Sequence, residues 1–428
     1  MVKFPMPMIE PPGSGEIRIL AAGFTRTGNC SLQNAPRGAG SLRDLALNSE
    51  AVVVFGEPLA REIEESAAAL WEEIPAGESV FIALVPRRAA PEVGPLYGPP
   101  ISSFLVSSPV LVRLIDLGLD CWARNLCFNT LRGIVRGDAD VDRLLVRQVP
   151  FPWRAADGTR APAKALVLPH RGEPAYLRAA LKYALKPADA SLTVRVGLDV
   201  EESAAYAAFP GEFPEVEFFR FQPAPVGPYV IRQELAERSP EPLLTLQDSD
   251  DLSCSDRFAA LSRALAETGC DIAGSHELCL DEMRGVVHPV RFPLDCSAAL
   301  GVCANHALLH ATLMAHRSAF FRAGGLSTDQ IIANDTQFLL RAYFHARIRN
   351  VDEFLYIRRR HATSLTNSPE TIFDNPLRRR LNAEWTADFD AIRRGDLRIE
   401  NSSLRPVRRT EPWSVERLAP QSRAALAV

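Results

Sequence analysis

Three consecutive segments in the middle of the chain restrict the folds open to it. Ala163-Lys164-Ala165-Leu166-Val167-Leu168-Pro169-His170-Arg171 is an apolar run that ends in a Pro-containing turn, and Pro174 to Leu185 follows with helical spacing. Leu192 to Asp199 reads as a second strand, this one ending in an acid. The order is strand, helix, strand, as in a sheet that pairs its strands through crossover helices. Such α/β sheets bind ligands in the crevice outside the carboxyl ends of their strands. The residues just past those ends are therefore where chemistry is sought.

A further apolar run, Leu243-Leu244-Thr245-Leu246, passes at once into Gln247-Asp248-Ser249-Asp250-Asp251. Carboxylates in such a place suit Mg²⁺ or Mn²⁺, ions held by one or two acids together with the phosphates of a substrate. The implied ligand is a diphosphate. Acids are also favoured in turns and as helix caps, and Arg257 to Leu265 reads as a helix that these acids introduce.

Four segments, in order, resemble the GT-A catalytic domain of the family 2 glycosyltransferases. They are Val167-Leu168-Pro169-His170-Arg171 with Tyr176-Leu177-Arg178-Ala179-Ala180-Leu181, then Asp199 at the end of the second strand, then Asp248-Ser249-Asp250 as the Asp-x-Asp signature. The fourth is Asn334-Asp335-Thr336-Gln337-Phe338-Leu339-Leu340-Arg341, preceded by Gly324-Gly325-Leu326 and followed by Phe354 through Ser364. The resemblance spans about Ala163 to Thr366. The chain departs from the family's pattern where Pro169-His170-Arg171 lacks the usual aromatic residue, and where Asn334 replaces the usual Glu.

The resemblance implies a Rossmann-like mixed sheet and transfer of a sugar, with inversion, from a nucleotide diphosphate donor, expected to be a UDP-sugar. The acceptor is a saccharide or another hydroxyl-bearing molecule, as in polysaccharide biosynthesis. Asp335 is the implied general base. Asp250 and His361 are the implied ligands of a divalent Mn²⁺ or Mg²⁺, and Pro169, Arg171, Asp199, Arg232 and Asp248 are the implied donor-binding residues. The acidic signature does not set stereochemistry by itself. A retaining transferase on the same fold, and a nucleotide-sugar-binding protein without turnover, are alternative readings of the same residues. Each site residue also has a plainer one: Asp335 and Asp251 as helix caps, Asp199 as a turn acid, and Arg232 as half of a surface ion pair.

At 428 residues the chain is long for one domain. The expected division is a small α/β domain over residues 1–155, the transferase domain over 156–366, and a helical extension and tail over 367–428. The Pro-rich run Val149-Pro150-Phe151-Pro152-Trp153, continuing through Ala161-Pro162, reads as the linker. In the first part, strands are expected at Ile17 to Ala22, Ala51 to Phe55 and Val80 to Val85, with helices at Ala60 to Glu73 and Val110 to Gly118. Gly23 to Leu32 reads as a strand-to-turn connection rather than a phosphate loop, because Asn34 to Gly40 leaves no helix behind it. The helix from Leu377 to Arg393 is expected to pack on the transferase domain ahead of a solvated tail, in preference to docking on a membrane.

The net charge of −4 supplies no electrostatic drive towards nucleic acid. The Pro-rich Met1 to Gly15 does not have the pattern of a secretory signal, and no apolar run approaches a bilayer span, so a cytoplasmic protein is expected. The eight cysteines form no Cys-x-x-Cys pair and read as reduced thiols. His306 and His310, four apart, suit one helix face. With no acid alongside them they read as packing or acceptor-contacting residues rather than a zinc pair.

Overall fold

The computed structural model describes residues 19–25, 31–34, 39–56, 60–118, 123–150, 162–187, 189–201, 204–364, 367 and 375–419. Residues 151–161, which hold most of the expected linker and the boundary near 155, lie outside that range. So do Met1 to Gly15, residues 26–30 of the glycine-containing turn, and Cys30 and Cys121. The chain forms two compact units, one of Met1–Arg87, Tyr97–Pro152 and Arg284–Pro289, the other of Arg88–Leu96, Trp153–Met283 and Val290–Val428.

The first unit holds a six-stranded sheet in the order Ser31–Asn34, Ile19–Phe24, Ala51–Gly56, Phe104–Ser107, Val80–Pro86, Arg143–Val149. Only the last two strands pair in parallel. Of its helices, Ser108–Asp116 buries Val110, Leu111, Leu114 and Ile115, the i, i+1, i+4, i+5 stripe of an amphipathic helix.

The second unit is mixed α/β, and its sheet runs Leu252–Ser253, Ile348–Arg360, Ile272–Asp281, Met314–His316, Leu243–Leu246, Lys164–His170, Leu192–Leu198, Val216–Gln222, Ser414–Leu418. Four strands from Leu243–Leu246 to Val216–Gln222 are mutually parallel. The inner ones, Leu243–Leu246 and Lys164–His170, are buried along their whole length, while Val216–Gln222 has Glu217 and Arg220 half-buried. Ala165 and Val167 pack into one core with the helices Pro228–Glu237 and Asn334–Ala342, while Leu166 and Leu168 pack into another with Pro174–Leu185 and Arg257–Thr268.

From Lys164–His170 the chain steps outward to Leu192–Leu198 and Val216–Gln222, then returns to the opposite side of Lys164–His170 as Leu243–Leu246. The strand order therefore reverses between Lys164–His170 and Leu243–Leu246, the switch point outside whose carboxyl ends such sheets carry their ligand crevice. His170 stands at one of those ends, and Asp248 lies just beyond the other.

One close approach fixes a helix over this sheet. A Cβ on Gly197 would stand 2.2 Å from Ile231 Cγ2 and 2.9 Å from the Phe221 ring, so Gly197 lets Pro228–Glu237 settle directly onto the strands. That helix carries Tyr229 and Arg232 towards the crevice.

Residues 398–418 are not the solvated tail expected. Ser414–Leu418 pairs antiparallel with Val216–Gln222 and extends the sheet by one strand. Arg341, buried, donates to the carbonyls of Ala323 and Leu404, at 2.5 and 2.7 Å, and to that of Gly325. The Gln337 amide reaches the Ser403 carbonyl at 2.8 Å. Sequence reading missed the strand because its side chains are half-buried or exposed, so no apolar alternation marks it. Ahead of it, the helix Pro376–Arg394 buries only Trp385 and Phe389.

Candidate active site

The turn after Leu243–Leu246 sends its side chains in different directions because each is held by a different neighbour. The Asp248 carboxylate takes a close charge-assisted hydrogen bond from Arg232, and its backbone N–H donates to the Tyr356 hydroxyl at 3.1 Å. The Ser249 hydroxyl is 2.8 Å from Nδ1 of His170, whose Nε2 is 3.3 Å from the Tyr206 hydroxyl. Burial lowers the His170 pKa to about 4, so at neutral pH its imidazole is an uncharged clamp on the turn. Asp250 reaches the other way, its Oδ2 2.8 Å from Nε2 of His361.

Beneath the turn lies Arg257, fully buried. Its guanidinium donates to the Gln247 side chain at 3.1 Å, Ser253 Oγ at 2.9 Å, and the carbonyls of Leu246 and Ala311 at 2.7 Å each. It thus ties the acidic turn to the segment that carries His310. Burial brings its pKa down to about 10, which leaves it cationic at neutral pH.

Asp251 is buried beside these groups, and its Oδ1 accepts the Arg359 backbone N–H at 2.8 Å. The expectation that it caps the following helix is corrected: Arg257–Thr268 begins after Asp256, and Asp251 joins the turn to Ile348–Arg360 instead. Burial and the charges of Asp250 and Asp248 push its pKa well above the ordinary carboxylate range.

Asp335 comes to the same crevice from the far side of the sheet. Its Oδ1 accepts from the Tyr229 hydroxyl at 2.7 Å, and its Oδ2 lies 3.1 Å from Nδ1 of His310. It makes no capping bond to its own helix, Asn334–Ala342, so the cap reading is corrected as well. The preceding Ala333 is held at φ +63, a left-handed conformation unfavourable for a residue with a Cβ. Asn334 is buried and donates to the carbonyls of Ser327 and Gln330 at 2.9 Å each, which suits an amide and would leave the usual Glu charge facing two acceptors.

His310 opens a short 3₁₀ turn rather than sharing a helix face with His306. Its Nδ1 faces Asp335 and its Nε2 is 3.8 Å from Asp248, so the acids absent from its sequence neighbourhood are supplied by the fold. A ring of charge closes through the crevice: Tyr229 to Asp335, Asp335 to His310, His310 to Asp248, Asp248 to Arg232, which is one helical turn from Tyr229. Burial alone would lower the His310 pKa, but Asp335 and Asp248 raise it to about 9. Burial would raise that of Asp248, but Arg232 and His310 bring it to about 2. The same opposition holds Asp335 far below the ordinary range, with His310 the strongest counterweight to burial.

Of the other residues singled out by sequence, only Arg232 belongs to this ring. Both oxygens of the buried Asp199 accept backbone N–H bonds, from Val226 at 2.7 Å and Gly227 at 3.0 Å, and so hold the loop that starts the Tyr229 helix. Pro169 is buried in its strand opposite Gly197, and Arg171 is exposed beyond the strand end. Arg232 is buried, not half of a surface pair. His361 is fixed by Thr363 Oγ1 at 3.0 Å from its Nδ1 and by the Tyr176 ring, 4.7 Å between centroids. The guanidinium of Arg359 covers the same Tyr176 ring at 4.1 Å.

Asp250 and His361 set one carboxylate oxygen beside one imidazole nitrogen. Among the described residues no group of three His, Cys, Asp or Glu side chains is placed to hold a metal ion. The pair fits a divalent ion that draws its remaining ligands from phosphate and water, as Mg²⁺ commonly does.

No protein-family model and no curated protein matches the chain. Among solved structures, residues 1–349 of Staphylococcus aureus TarS are similar at 14% identity and a TM-score of 0.40, covering 54% of this chain and 72% of that one. Its complex with UDP-GlcNAc gives 14%, 0.41, 56% and 74%, and its complex with UDP 14%, 0.38, 56% and 73%. At this identity and score the likeness assigns neither family nor activity to the chain.

Proposed function

We propose that the second unit is a GT-A glycosyltransferase that moves a sugar, with inversion, from a UDP-sugar to a hydroxyl of a saccharide or similar acceptor. The observation that carries this reading is the meeting of Asp248 and Asp250, just past one strand end, with Asp335 from a distant helix, at the point where the strand order reverses. A diphosphate leaving group, an acceptor proton and a nucleoside each need a separate group, and the crevice holds three acids in three different settings. Asp250 and His361 would hold a divalent Mn²⁺ or Mg²⁺, which supplies Lewis-acid stabilisation of the departing diphosphate.

Asp248, aimed by Arg232, presents its remaining lone pairs to the ribose. Asp199 acts at one remove by holding the loop Val226–Gly227. Asp335, kept ionised and lodged between Tyr229 and His310, takes the acceptor proton as the new bond forms. His170 and Arg257 fix the turn so that Asp248 and Asp250 diverge.

The test is calorimetric titration of the full chain with UDP, with and without Mn²⁺. Mn²⁺ is expected to strengthen UDP binding in the wild type and to leave Asp250→Ala unaffected. Equal strengthening in both would remove Asp250 from the ion site. Absence of UDP binding under either condition would remove the donor assignment.

A further inference from the structure

We propose that His310 is a positioning residue for Asp335: its imidazole, lodged between Asp335 and Asp248, balances the charge of both acids and fixes the direction in which the Asp335 carboxylate faces. The inference rests on the sugar-transfer reading only for what Asp335 is used for; the pairing itself stands on the geometry.

Asp335 and Asp248 enter the crevice from different elements and face the same imidazole, two like charges with one ring between them. One imidazole reaches both, with Nδ1 3.1 Å from Asp335 and Nε2 3.8 Å from Asp248. At these distances the ring acts on the two acids as a charge set between them rather than through two aligned hydrogen bonds, and a carboxylate on either side favours the imidazolium. His310 side-chain exposure is 17% and that of Asp335 13%, which leaves water little part in the compensation.

Other charged or titratable groups sense the same place. Glu277 responds to both His310 and Asp248, and His306 responds to Asp335, His310, Arg358 and Arg378. Arg232 and Tyr229 close the ring through Asp248 and Asp335. Of the groups acting on Asp335, burial is the largest and favours the protonated acid, and His310 is the largest that opposes it. Without His310 the largest opponent of burial is gone, and the Asp335 carboxyl holds its proton to a higher pH than in the wild type.

The signs of the two effects differ. The His310 proton, held up to about 9, is present at neutral pH and leaves as pH rises through that value. The Asp335 charge is present throughout the neutral range, and removing His310 moves its loss towards neutral pH. Wild type is therefore expected to show no acid limb from Asp335 between about pH 5 and about pH 8, whereas His310→Gln acquires one, with the rate falling about tenfold per pH unit below it.

The experiment has two arms on the full chain. In the first, histidines are labelled at the ring carbon and followed by NMR against pH; the signal lost in His310→Gln, or the one moved by Asp335→Asn if the glutamine variant does not fold, belongs to His310. Its midpoint is expected near 9 in the wild type and at least about one pH unit lower in Asp335→Asn. A wild-type midpoint at or below the ordinary imidazole value, or no response to Asp335→Asn, overturns the pairing. In the second, UDP release from UDP-GlcNAc and other UDP-sugars with Mn²⁺ is measured against pH. A uniform loss of rate in His310→Gln with no new acid limb would reduce His310 to a structural role and overturn the proposal. If the wild type releases no UDP from any of them, the sugar-transfer reading fails, and the first arm still decides whether His310 serves Asp335.

Discussion

Asp248 and Asp250 stand two residues apart on one turn, and their surroundings could hardly differ more. Asp248 belongs to a closed ring in which each charge is answered by another from the protein, Arg232 on one side and His310 with Asp335 on the other. Asp250 meets a single imidazole, that of His361. The first arrangement is complete in the protein alone. The second has few protein partners and much coordinating capacity, as expected of a place that finishes its shell with something brought in. Charge density thus says less about where a ligand binds than the balance of charge around each acid.

The largest effect that would sharpen this contrast is on turnover. Asp335→Asn keeps an oxygen for the Tyr229 hydroxyl but cannot take a proton, so UDP release should fall by roughly 10²- to 10⁴-fold with UDP affinity unchanged. Near-normal turnover would detach the ring around Asp248 from the chemistry.

Next comes a difference in stability between the two acids' partners. Arg232→Ala leaves Asp248 short of its main counter-charge, and removing one member of a buried pair costs roughly 3 kcal/mol, reduced here to about 2 kcal/mol because the Asp248 side chain is 31% exposed. Asp250→Ala should cost about 1 kcal/mol, because at nearly the same exposure it removes one hydrogen bond to an imidazole and strands no guanidinium or carboxylate. Urea unfolding of the two variants side by side would break the comparison if the order were reversed.

Gly197→Ala probes the Asp248 side from a distance. Overpacking against Ile231 should cost about 1–3 kcal/mol and displace the helix that bears Tyr229 and Arg232. His361 and Asp250 lie on other elements, so the Mn²⁺-dependent part of UDP binding should survive while turnover drops. Loss of both together would mean that the two acids do not act separately.

The smallest effect is a gain. Ala333→Gly relieves a left-handed residue at about 1–2 kcal/mol but adds freedom to the unfolded chain worth about 0.4–1 kcal/mol, so a net stabilisation below about 1 kcal/mol is expected by thermal unfolding. If turnover falls as stability rises, the strain at Ala333 serves to aim Asp335.

Much of the sheet could be read from the sequence because burial on both faces writes strands as unbroken apolar runs. Lys164–His170 and Leu243–Leu246 come nearest to this, and the helix Pro174–Leu185 is marked instead by its spacing and its starting proline. The acids at the strand ends were legible for the same reason, since an abrupt change from apolar to acidic marks where a strand leaves the core. What joins them was not. His310 reaches its two acids across 62 and 25 residues of sequence, and Arg257 serves carbonyls on two segments, so neither leaves a local pattern. Asp199 shows a related limit: a strand-end acid looks the same in sequence whether it faces a ligand or two backbone N–H groups.

The strand Ser414–Leu418 has a consequence for the order in which the molecule is made. It covers an edge, Val216–Gln222, that is translated some two hundred residues earlier. During synthesis that edge stands with its row of N–H and C=O groups unmatched, a template for strands of other chains as much as for its own. Shortening the chain by the residues of this strand would make the transient condition permanent. The harm would then show first as association between molecules during expression, before any defect could be seen in the crevice on the other side of the sheet's parallel strands.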